Sequence, residues 1–391
     1  MNKKVAILVI HGIGEQEPFE TMDAFVKPFA DLYLERIREK YPNASIRKKH
    51  SLAFISDWIE SYVSLIPSVS NNVQIDIYEY YWAHMTQHKI TTSEVIEWLF
   101  NIAEGAKDFY ARQKNMKNRE KNDTLFTKDG EFKILEYLIK VLSFGNFLKR
   151  TVLLIPVKFK IIDAIARLIA RNMKGPIVDK FGDVTLYTTT DKKSKYFGVR
   201  KRMLNGAVQK TKLLIENPEY ADVLLIGHSL GSVIAYDTLD RLNKMMTIDR
   251  NLQVNASKIK GLITFGSPLD KIAFFFDEQI NKKKQDIRYA IVSQLHAFRR
   301  VNVDITTLEN TIEHCFKHVK WLNFWTKPDP VSGHLDVYDP VDNIEIDFSK
   351  EIKVPKWLLR CFSSAVSIQS HSLYWQSDEM YQKIMERFNL I

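Results

Sequence analysis

The sequence predicts an α/β fold in which a mostly parallel central sheet is flanked by helices. Residues 221–226 form an apolar strand pattern that runs directly into Gly-His-Ser-Leu-Gly at 227–231 and on into a helical pattern. Residues 5–10 are a second, continuous apolar run, which ends in His-Gly-Ile-Gly at 11–14. Such runs are typical of parallel sheets, because the strands of these sheets are buried on both faces.

The predicted elements form a core that is interrupted once. Residues 1–83 make its N-terminal part and residues 183–391 its C-terminal part, while residues 84–182 are predicted to be a largely helical insertion that serves as a cap or lid. The predicted core elements are a strand at 5–10, a helix near 21–40, an amphipathic stretch around 52–66, strands at 73–80, 221–226, 259–265 and 319–325, and a last helix at 378–388. With 391 residues and 45% hydrophobic composition, the chain can bury a substantial core.

Ser229 occupies the centre of a sharp strand-to-helix turn. Such a turn strains the backbone of the serine and crowds the residues two before and two after it, which here are Gly227 and Gly231. Residues 232–239 are compatible with a helix, whose N-terminus would direct unpaired N–H groups and a positive dipole end towards the serine oxygen. The pattern predicts a nucleophile elbow. The alternative is a tight turn in which the serine only caps the helix.

Segments 11–14 and 227–232 together resemble the α/β-hydrolase superfamily, and within it the lipase and esterase branch. In that branch, the residue after the first His-Gly pair and the residue after the nucleophile donate the backbone N–H groups of the oxyanion hole. The resemblance therefore implies that Ile13 and Leu230 are these donors. The residues that support the two turns are His11, Gly12, Gly14, Gly227 and Gly231. An alternative for 11–14 alone, the glycine-rich turn of a nucleotide-binding protein, lacks the G-x-G-x-x-G spacing.

The resemblance also implies the order of the remaining catalytic groups, which is nucleophile, acid and then histidine. Asp329 lies in the Pro-Asp-Pro segment after the strand predicted at 319–325, where the family keeps its acid. The flanking prolines restrict the loop, which suits a carboxylate that must hold one orientation. Two rival acids are Asp270, which follows the preceding strand, and Asp336. A further alternative is a rigid turn in which the Asp329 carboxylate only bonds the local backbone.

His334 and His371 are the histidines that follow Asp329 in the order the family requires. His334 is only five residues past Asp329, which is too near for it to come easily from a separate loop. His371 lies in segment 365–375, predicted to be a short strand and a loop before the last helix, which is the histidine position of the family. We therefore expect His371 to be the base. The alternative is a histidine that caps a helix or packs at the surface.

These groups predict a serine carboxylester hydrolase that cleaves an acyl ester of hydrophobic or lipid character. Ser229 would attack the acyl carbonyl while His371 takes its proton, and Asp329 would hold the imidazole tautomer before water releases the acyl group. An acyltransferase or thioesterase would use the same triad with another acceptor or leaving group. A non-catalytic, membrane-associated scaffold is the alternative from a different class, but a binding module has no need of an ordered acid, base and oxyanion loop.

Cysteine content and the first residues of the chain bear on its compartment and cofactors. The two cysteines, Cys315 and Cys361, are fewer than a secreted disulfide scaffold needs. Basic residues before the first apolar run imitate a signal peptide, but that run has only six residues and leads straight into segment 11–14. We therefore expect a cytoplasmic protein. His314, Cys315 and His318 lie close enough in sequence to ligate a metal, but without a further ligand we expect no metal and no cofactor.

The insertion concentrates the positive charge of the chain. Residues 133–174 contain nine basic and two acidic residues, an excess that approaches the formal net charge of +9. Apolar residues are interleaved with these cations, and Pro156, Lys158 and Lys160 interrupt any stretch long enough to span a membrane. Two interpretations remain, a basic amphipathic helix on an anionic membrane surface and a lid whose apolar face packs on the core. No recognised nucleic-acid-binding motif accompanies the charge, so we expect no nucleic-acid partner.

Overall fold

A computed structural model of the protein describes residues 3–12, 16–55, 58–70, 72–86, 197–270, 312–327, 329, 331–335, 338, 341–348 and 370–391. The predicted insertion, beyond its first three residues, lies outside these ranges. Ile13, Gly14 and Asp336 also lie outside them. The boundaries of the insertion at 84 and 182, and its role as a lid, therefore stay predictions.

One sheet of eight strands runs through the described part of the chain. Its strands are β1 (Lys4–Ile10), β2 (Ile46–Ile55), β3 (Trp58–Pro67), β4 (Gln74–Tyr80), β5 (Asp222–His228), β6 (Ile259–Phe265), β7 (Lys320–Trp325) and β8 (Asp342–Glu345). The helices are α1 (Glu20–Lys40), α2 (Phe197–Glu216), α3 (Leu230–Ile248), α4 (Arg250–Gln253) and α5 (Asp378–Arg387), with short 3-10 turns at Ala83–Met85, Ala256–Lys258 and Tyr374–Gln376. No helix within the described ranges combines the length and apolar character that crossing a membrane requires.

The sheet is mostly parallel, as the sequence predicts. Its strand order is β2-β3-β4-β1-β5-β6-β7-β8. β1 pairs in parallel with both β4 and β5, and β6, β7 and β8 continue the parallel arrangement. β1 is buried from Val5 to Ile10, as expected for a strand covered on both faces. This sheet with its flanking helices confirms the predicted α/β fold.

One edge of the sheet differs from the sequence prediction. The stretch around 52–66, predicted only as amphipathic, lies in β2 and β3, which pair antiparallel with each other. β3 also pairs antiparallel with β4. Leu65 of β3 is fully buried whereas Leu52 of β2 is 60% exposed. A strand at an edge packs on fewer neighbours, so its apolar residues do not form the continuous run that makes β1 recognisable.

Helices cover both faces of the sheet, because successive side chains of a strand point to opposite faces. Alternate residues of β1 from Val5 to Val9 pack with buried residues of α1 and α5. The intervening residues from Ala6 to Ile10 pack with α2 and α3. The carboxyl ends of β1, β5, β6 and β7 meet at one edge of the sheet between these two helix layers. Parallel α/β sheets bind their ligands at this edge.

Candidate active site

Ser229 lies at the carboxyl edge of the sheet, between the end of β5 and the first residue of α3. Its backbone has φ 51° and ψ −126°, a strained conformation that residues other than glycine rarely adopt. Ser229 occupies the N-cap position of α3, yet its side chain makes no capping hydrogen bond in the first turn of that helix, all of which is described. The alternative in which this serine only caps the helix therefore does not fit the structure.

Both glycines of the turn lie where the backbone leaves no room for a side chain. A Cβ atom added to Gly227 would lie 2.5 Å from the carbonyl oxygen of Gly231. One added to Gly231 would lie 2.2 Å from the carbonyl oxygen of Ile10. These distances are far below van der Waals contact, so the ends of β1 and β5 approach the start of α3 this closely only because both residues are glycine.

His371 and Asp329 contact each other. His371 Nδ1 lies 2.8 Å from Asp329 Oδ2, and both side chains are almost fully buried. A carboxylate only accepts hydrogen bonds, so Nδ1 carries the hydrogen and Nε2 is the nitrogen that can act as a base. Asp329 follows β7 and His371 precedes α5, so the contact joins two segments that only the fold brings together.

Further hydrogen bonds fix the Asp329 carboxylate. The N–H of Val331 donates to Oδ1 at 2.9 Å, and the hydroxyl of Tyr374 donates to Oδ2 at 3.2 Å. Ser332 Oγ lies 3.0 Å from the same tyrosine hydroxyl. The bond from Val331 is the local turn bond that the sequence offers as an alternative role for Asp329. It coexists with the contact to His371, since the two bonds use different carboxylate oxygens.

The described rivals for the acid and the base lie beside other groups. Asp270 follows β6, and its charge adds to burial and the charge of Asp237 in raising the pKa of Tyr338. His334 packs edge-on against Trp325, with ring centroids 4.5 Å apart. Among the described candidates, Asp329 and His371 are therefore the acid and histidine that bond to each other.

The His371 ring lies beside His228, the residue that precedes Ser229. The two rings are 4.7 Å apart, and His228 Nε2–H donates to the His371 carbonyl oxygen at 3.0 Å. A Cβ atom at Gly266 would lie 2.9 Å from His371 Cε1, so the ring also packs on the backbone after β6. Residues 370–373 are helical, which corrects the predicted loop at His371. The helical turn brings Tyr374, three residues later, to the same carboxylate as His371.

Of the two predicted oxyanion donors, the structure describes Leu230, and next to the other it describes the supporting residue Gly12. Leu230 is the first residue of α3, so its N–H is one of the amides that a helix leaves without an intrahelical acceptor. A Cβ atom added to Gly12 would lie 2.7 Å from Ser229 Cβ. Residues 11–19 connect β1 to α1 and are named here the β1–α1 loop. Gly12, at the start of this loop, therefore lies against the serine, next to the positive end of α3.

His11 is a structural group at the start of the β1–α1 loop. Its Nδ1–H donates to the Gly12 carbonyl oxygen at 2.7 Å, and its Nε2 accepts the N–H of Trp82 at 3.0 Å. The Trp82 indole N–H donates to the His11 carbonyl oxygen at 3.0 Å, and the two rings stack 4.6 Å apart. Burial lowers the pKa of His11 to about 4, and burial likewise lowers that of His228 to about 3. Both rings are therefore neutral at neutral pH.

Comparison with protein families supports this architecture. Residues 187–321 match the family model of the PGAP1-like alpha/beta domain. This is an α/β-hydrolase-like family of the lipase and esterase superfamily. The match to the PGAP1-like domain includes β5, Ser229, α3 and β6, and it ends in β7 before Asp329 and His371. Searches of the curated proteins and of the solved structures found no match to the chain.

Three hydroxyl groups near the serine turn and Asp329 were not predicted from the sequence. Ser232 Oγ–H donates to the Ser229 carbonyl oxygen at 2.5 Å, and Ser267 Oγ lies 2.7 Å from Ser232 Oγ. These bonds tie the serine turn to the segment after β6. The third group is Tyr374, bonded to Asp329. The sequence held one signal for them, since Ser267 lies in the turn after β6. It held none for Tyr374, because the short helical turn that brings this residue to Asp329 shows no helical period.

The histidines and the cysteine at 314–318 do not assemble a metal centre. His318 Nε2–H donates to the Ile259 carbonyl oxygen at 3.0 Å, and the Cys315 N–H donates to Asn243 Oδ1 at 2.7 Å. The Cys315 thiol forms no disulfide within the described ranges and accepts a hydrogen bond from Gln253 Nε2 at 3.5 Å. Within the described ranges, no three histidine, cysteine, aspartate or glutamate side chains form a group that would hold a metal ion.

Proposed function

We propose that the protein is a serine carboxylester hydrolase in which Ser229 is the nucleophile, His371 the general base and Asp329 the acid that orients it. The observation that carries the proposal is the 2.8 Å bond between His371 Nδ1 and Asp329 Oδ2, beside a serine turn with φ 51°. An oriented imidazole and a serine held in a strained strand-to-helix turn are parts that serine acyl transfer requires. The match to the PGAP1-like domain supports the coarser statement that the protein is a hydrolase acting on esters.

In the first half-reaction, His371 Nε2 takes the hydroxyl proton of Ser229 as the serine oxygen attacks the acyl carbonyl carbon. The Asp329 carboxylate, which already accepts the Nδ1–H bond, stabilises the imidazolium that forms. This imidazolium gives its proton to the departing alkoxide as the ester C–O bond breaks, and the acyl group remains on the serine. Water then attacks the acyl-enzyme with His371 again as base, so the carboxylic acid leaves and the serine is restored.

Backbone amides would stabilise the oxyanion of each tetrahedral intermediate. We assign this role to the N–H groups of Leu230 and Ile13. The support for Leu230 is its place as the first residue of α3. There its N–H lacks an intrahelical acceptor, and both this N–H and the positive end of the helix dipole would stabilise an oxyanion bound to Ser229. The support for Ile13 is the sequence motif together with the contact of its neighbour Gly12 with Ser229. One such donor typically contributes about 100- to 1000-fold to kcat.

Labelling with a fluorophosphonate probe tests the proposal, because the probe phosphonylates an activated serine. We expect the wild type to label and the Ser229→Ala and His371→Ala variants not to label, with circular dichroism showing that both variants fold. His334→Ala is the matched control and should label like the wild type. Labelling that persists in Ser229→Ala would assign the reaction to another serine. A wild type that stays unlabelled, even with detergent or lipid present, would favour the scaffold alternative.

We further propose that the substrate is a hydrophobic or lipid ester, and that a cytoplasmic protein reaches it through residues 133–174 on an anionic membrane surface. The support is the excess of cations interleaved with apolar residues in this segment. Cosedimentation with anionic and zwitterionic vesicles, for the wild type and for Lys158→Glu/Lys160→Glu, tests the membrane contact. A series of esters with increasing acyl length tests the substrate. Failure to bind anionic vesicles together with a preference for short soluble esters would reject this proposal.

A further inference from the structure

We propose that Glu79, at the end of β4, is a positioning residue that sets the path of the β1–α1 loop and so the geometry of the oxyanion site. The inference rests on the proposed function, since its effect on catalysis requires a hydrolase. Glu79 would not touch the substrate. It would act through the backbone of the loop whose described residue Gly12 lies against Ser229.

The end of β4 holds the β1–α1 loop at its first residues. β4 pairs with β1 in parallel, with Val9 opposite Glu79 and Ile10 opposite Tyr80. Trp82 therefore follows β4 beside the start of the loop, where it forms two hydrogen bonds with His11.

Glu79 holds the same loop at its last residue. Glu79 Oε2 accepts the N–H of Phe19 at 2.5 Å, and Oε1 accepts the N–H of Thr21 at 3.2 Å. Phe19 is the N-cap residue of α1 and offers no polar side chain to the helix amides. The carboxylate from β4 takes over this capping role and lies at the positive end of the α1 dipole. The loop is thus held at both ends by residues 79–82.

Burial and strain indicate that Glu79 has a specific role. Glu79 shares a face of β4 with Ile75 and Ile77, which pack in the core beneath α1, and it is only 4% exposed. Burial removes the Glu79 carboxylate from water and thereby raises its pKa. An apolar residue at this position would avoid that cost of desolvation. Phe19 has φ 71°, a left-handed conformation that is unfavourable for a bulky residue. The bond from its N–H to Glu79 holds this conformation in place.

Glutamine cannot replace the carboxylate in this geometry. A carboxylate offers two acceptor oxygens, one for each amide, whereas glutamine offers one acceptor and an NH₂ group that would face an N–H donor. Glu79→Gln is therefore expected to release one end of the loop without removing a catalytic group.

The kinetic test compares Glu79→Gln with Asp76→Asn. Asp76 is a matched control because it is a fully buried carboxylate on the same strand, bonded by the Tyr220 hydroxyl at 2.9 Å and lying 3.0 Å from Lys4 Nζ. We expect Glu79→Gln to lower kcat for a chromogenic ester by roughly 10- to 100-fold, because a displaced oxyanion donor loses part of the 100- to 1000-fold it supplies. KM should stay within about threefold, since the ground state is not affected. Asp76→Asn should lower the melting temperature without changing kcat.

One further measurement and one further variant complete the test. Hydrogen exchange should accelerate in the peptide spanning 11–21 of Glu79→Gln and stay unchanged there in Asp76→Asn. If Glu79→Gln does not fold, Glu79→Asp retains both acceptors on a shorter side chain and should show a smaller fall in kcat. An unchanged kcat in a folded Glu79 variant, with wild-type enzyme active, would overturn the positioning role and leave the hydrolase proposal intact. A wild type that neither labels nor cleaves esters would overturn both.

Discussion

The replacement Asp329→Asn isolates the contribution of the carboxylate without changing its size. In the structure this carboxylate accepts hydrogen bonds from His371, Val331 and Tyr374. Asparagine has only one acceptor oxygen. If that oxygen keeps the bond from the Val331 N–H, the NH₂ group of the asparagine faces the Nδ1–H of His371. The donors conflict, so the imidazole is expected to move its proton to Nε2 and accept the amide hydrogen at Nδ1. In that tautomer Nε2 cannot take the proton of Ser229.

The expected loss follows from this change of tautomer. We expect kcat to fall by about 1000- to 10,000-fold, equivalent to roughly 4 to 5.5 kcal/mol of activation free energy. The loss of a buried, charge-assisted hydrogen bond should also lower the free energy of unfolding by about 1.5 to 3 kcal/mol. The rate of fluorophosphonate labelling and the hydrolysis of a chromogenic ester measure the first effect, and urea denaturation measures the second.

Asp270→Asn is the matched control, because Asp270 is the described rival acid. It should retain labelling close to that of the wild type, since His371 bonds to Asp329. The reasoning would be refuted by an Asp329→Asn variant that keeps more than a tenth of the wild-type rate, or by loss of labelling in Asp270→Asn with its fold intact.

Three further predictions concern the stability of the serine turn and of the β1–α1 loop. A Cβ atom at Gly231 would lie 2.2 Å from the Ile10 carbonyl oxygen, so Gly231→Ala should lower the free energy of unfolding by about 3 kcal/mol or more in urea denaturation; a smaller effect would mean that the backbone relaxes. Phe19 has φ 71°, and asparagine tolerates this conformation better, so Phe19→Asn should raise the free energy of unfolding by roughly 0.5 to 1 kcal/mol in the same assay; a decrease would contradict the strain argument. Burial lowers the pKa of His11 from 6.5 to about 4, so between these pH values the unfolded chain binds more protons than the folded chain. The contribution of neutral His11 to the free energy of unfolding is therefore complete above pH 6.5 and should fall by roughly 3 kcal/mol as the pH drops through 4. Urea denaturation of the wild type and of His11→Gln at several pH values checks this. Equal slopes of unfolding free energy against pH for the two proteins would contradict it.

Much of the core could be predicted from the sequence because its signals are local. The apolar run at 5–10 corresponds to β1, and the runs at 259–265 and 319–325 correspond to β6 and β7. The edge hairpin of β2 and β3 was missed, because half-exposed strands lack a continuous apolar run. The helical turn at His371 was missed as well, since four residues are too few for a helical period to show.

The pattern Gly-His-Ser-Leu-Gly by itself determined that Ser229 lies in a tight strand-to-helix turn, because the crowding that demands glycine arises within a few residues of the serine. Only the tertiary structure decided which acid bonds His371, because Asp329 and Asp270 both follow strands and satisfy the same local pattern. It also revealed the roles of Tyr374 and Glu79, whose partners lie on other elements. These contacts depend on the order in which β1, β4, β6 and β7 are laid side by side. Strand order is set by the packing of the whole sheet, and no local stretch of sequence contains it.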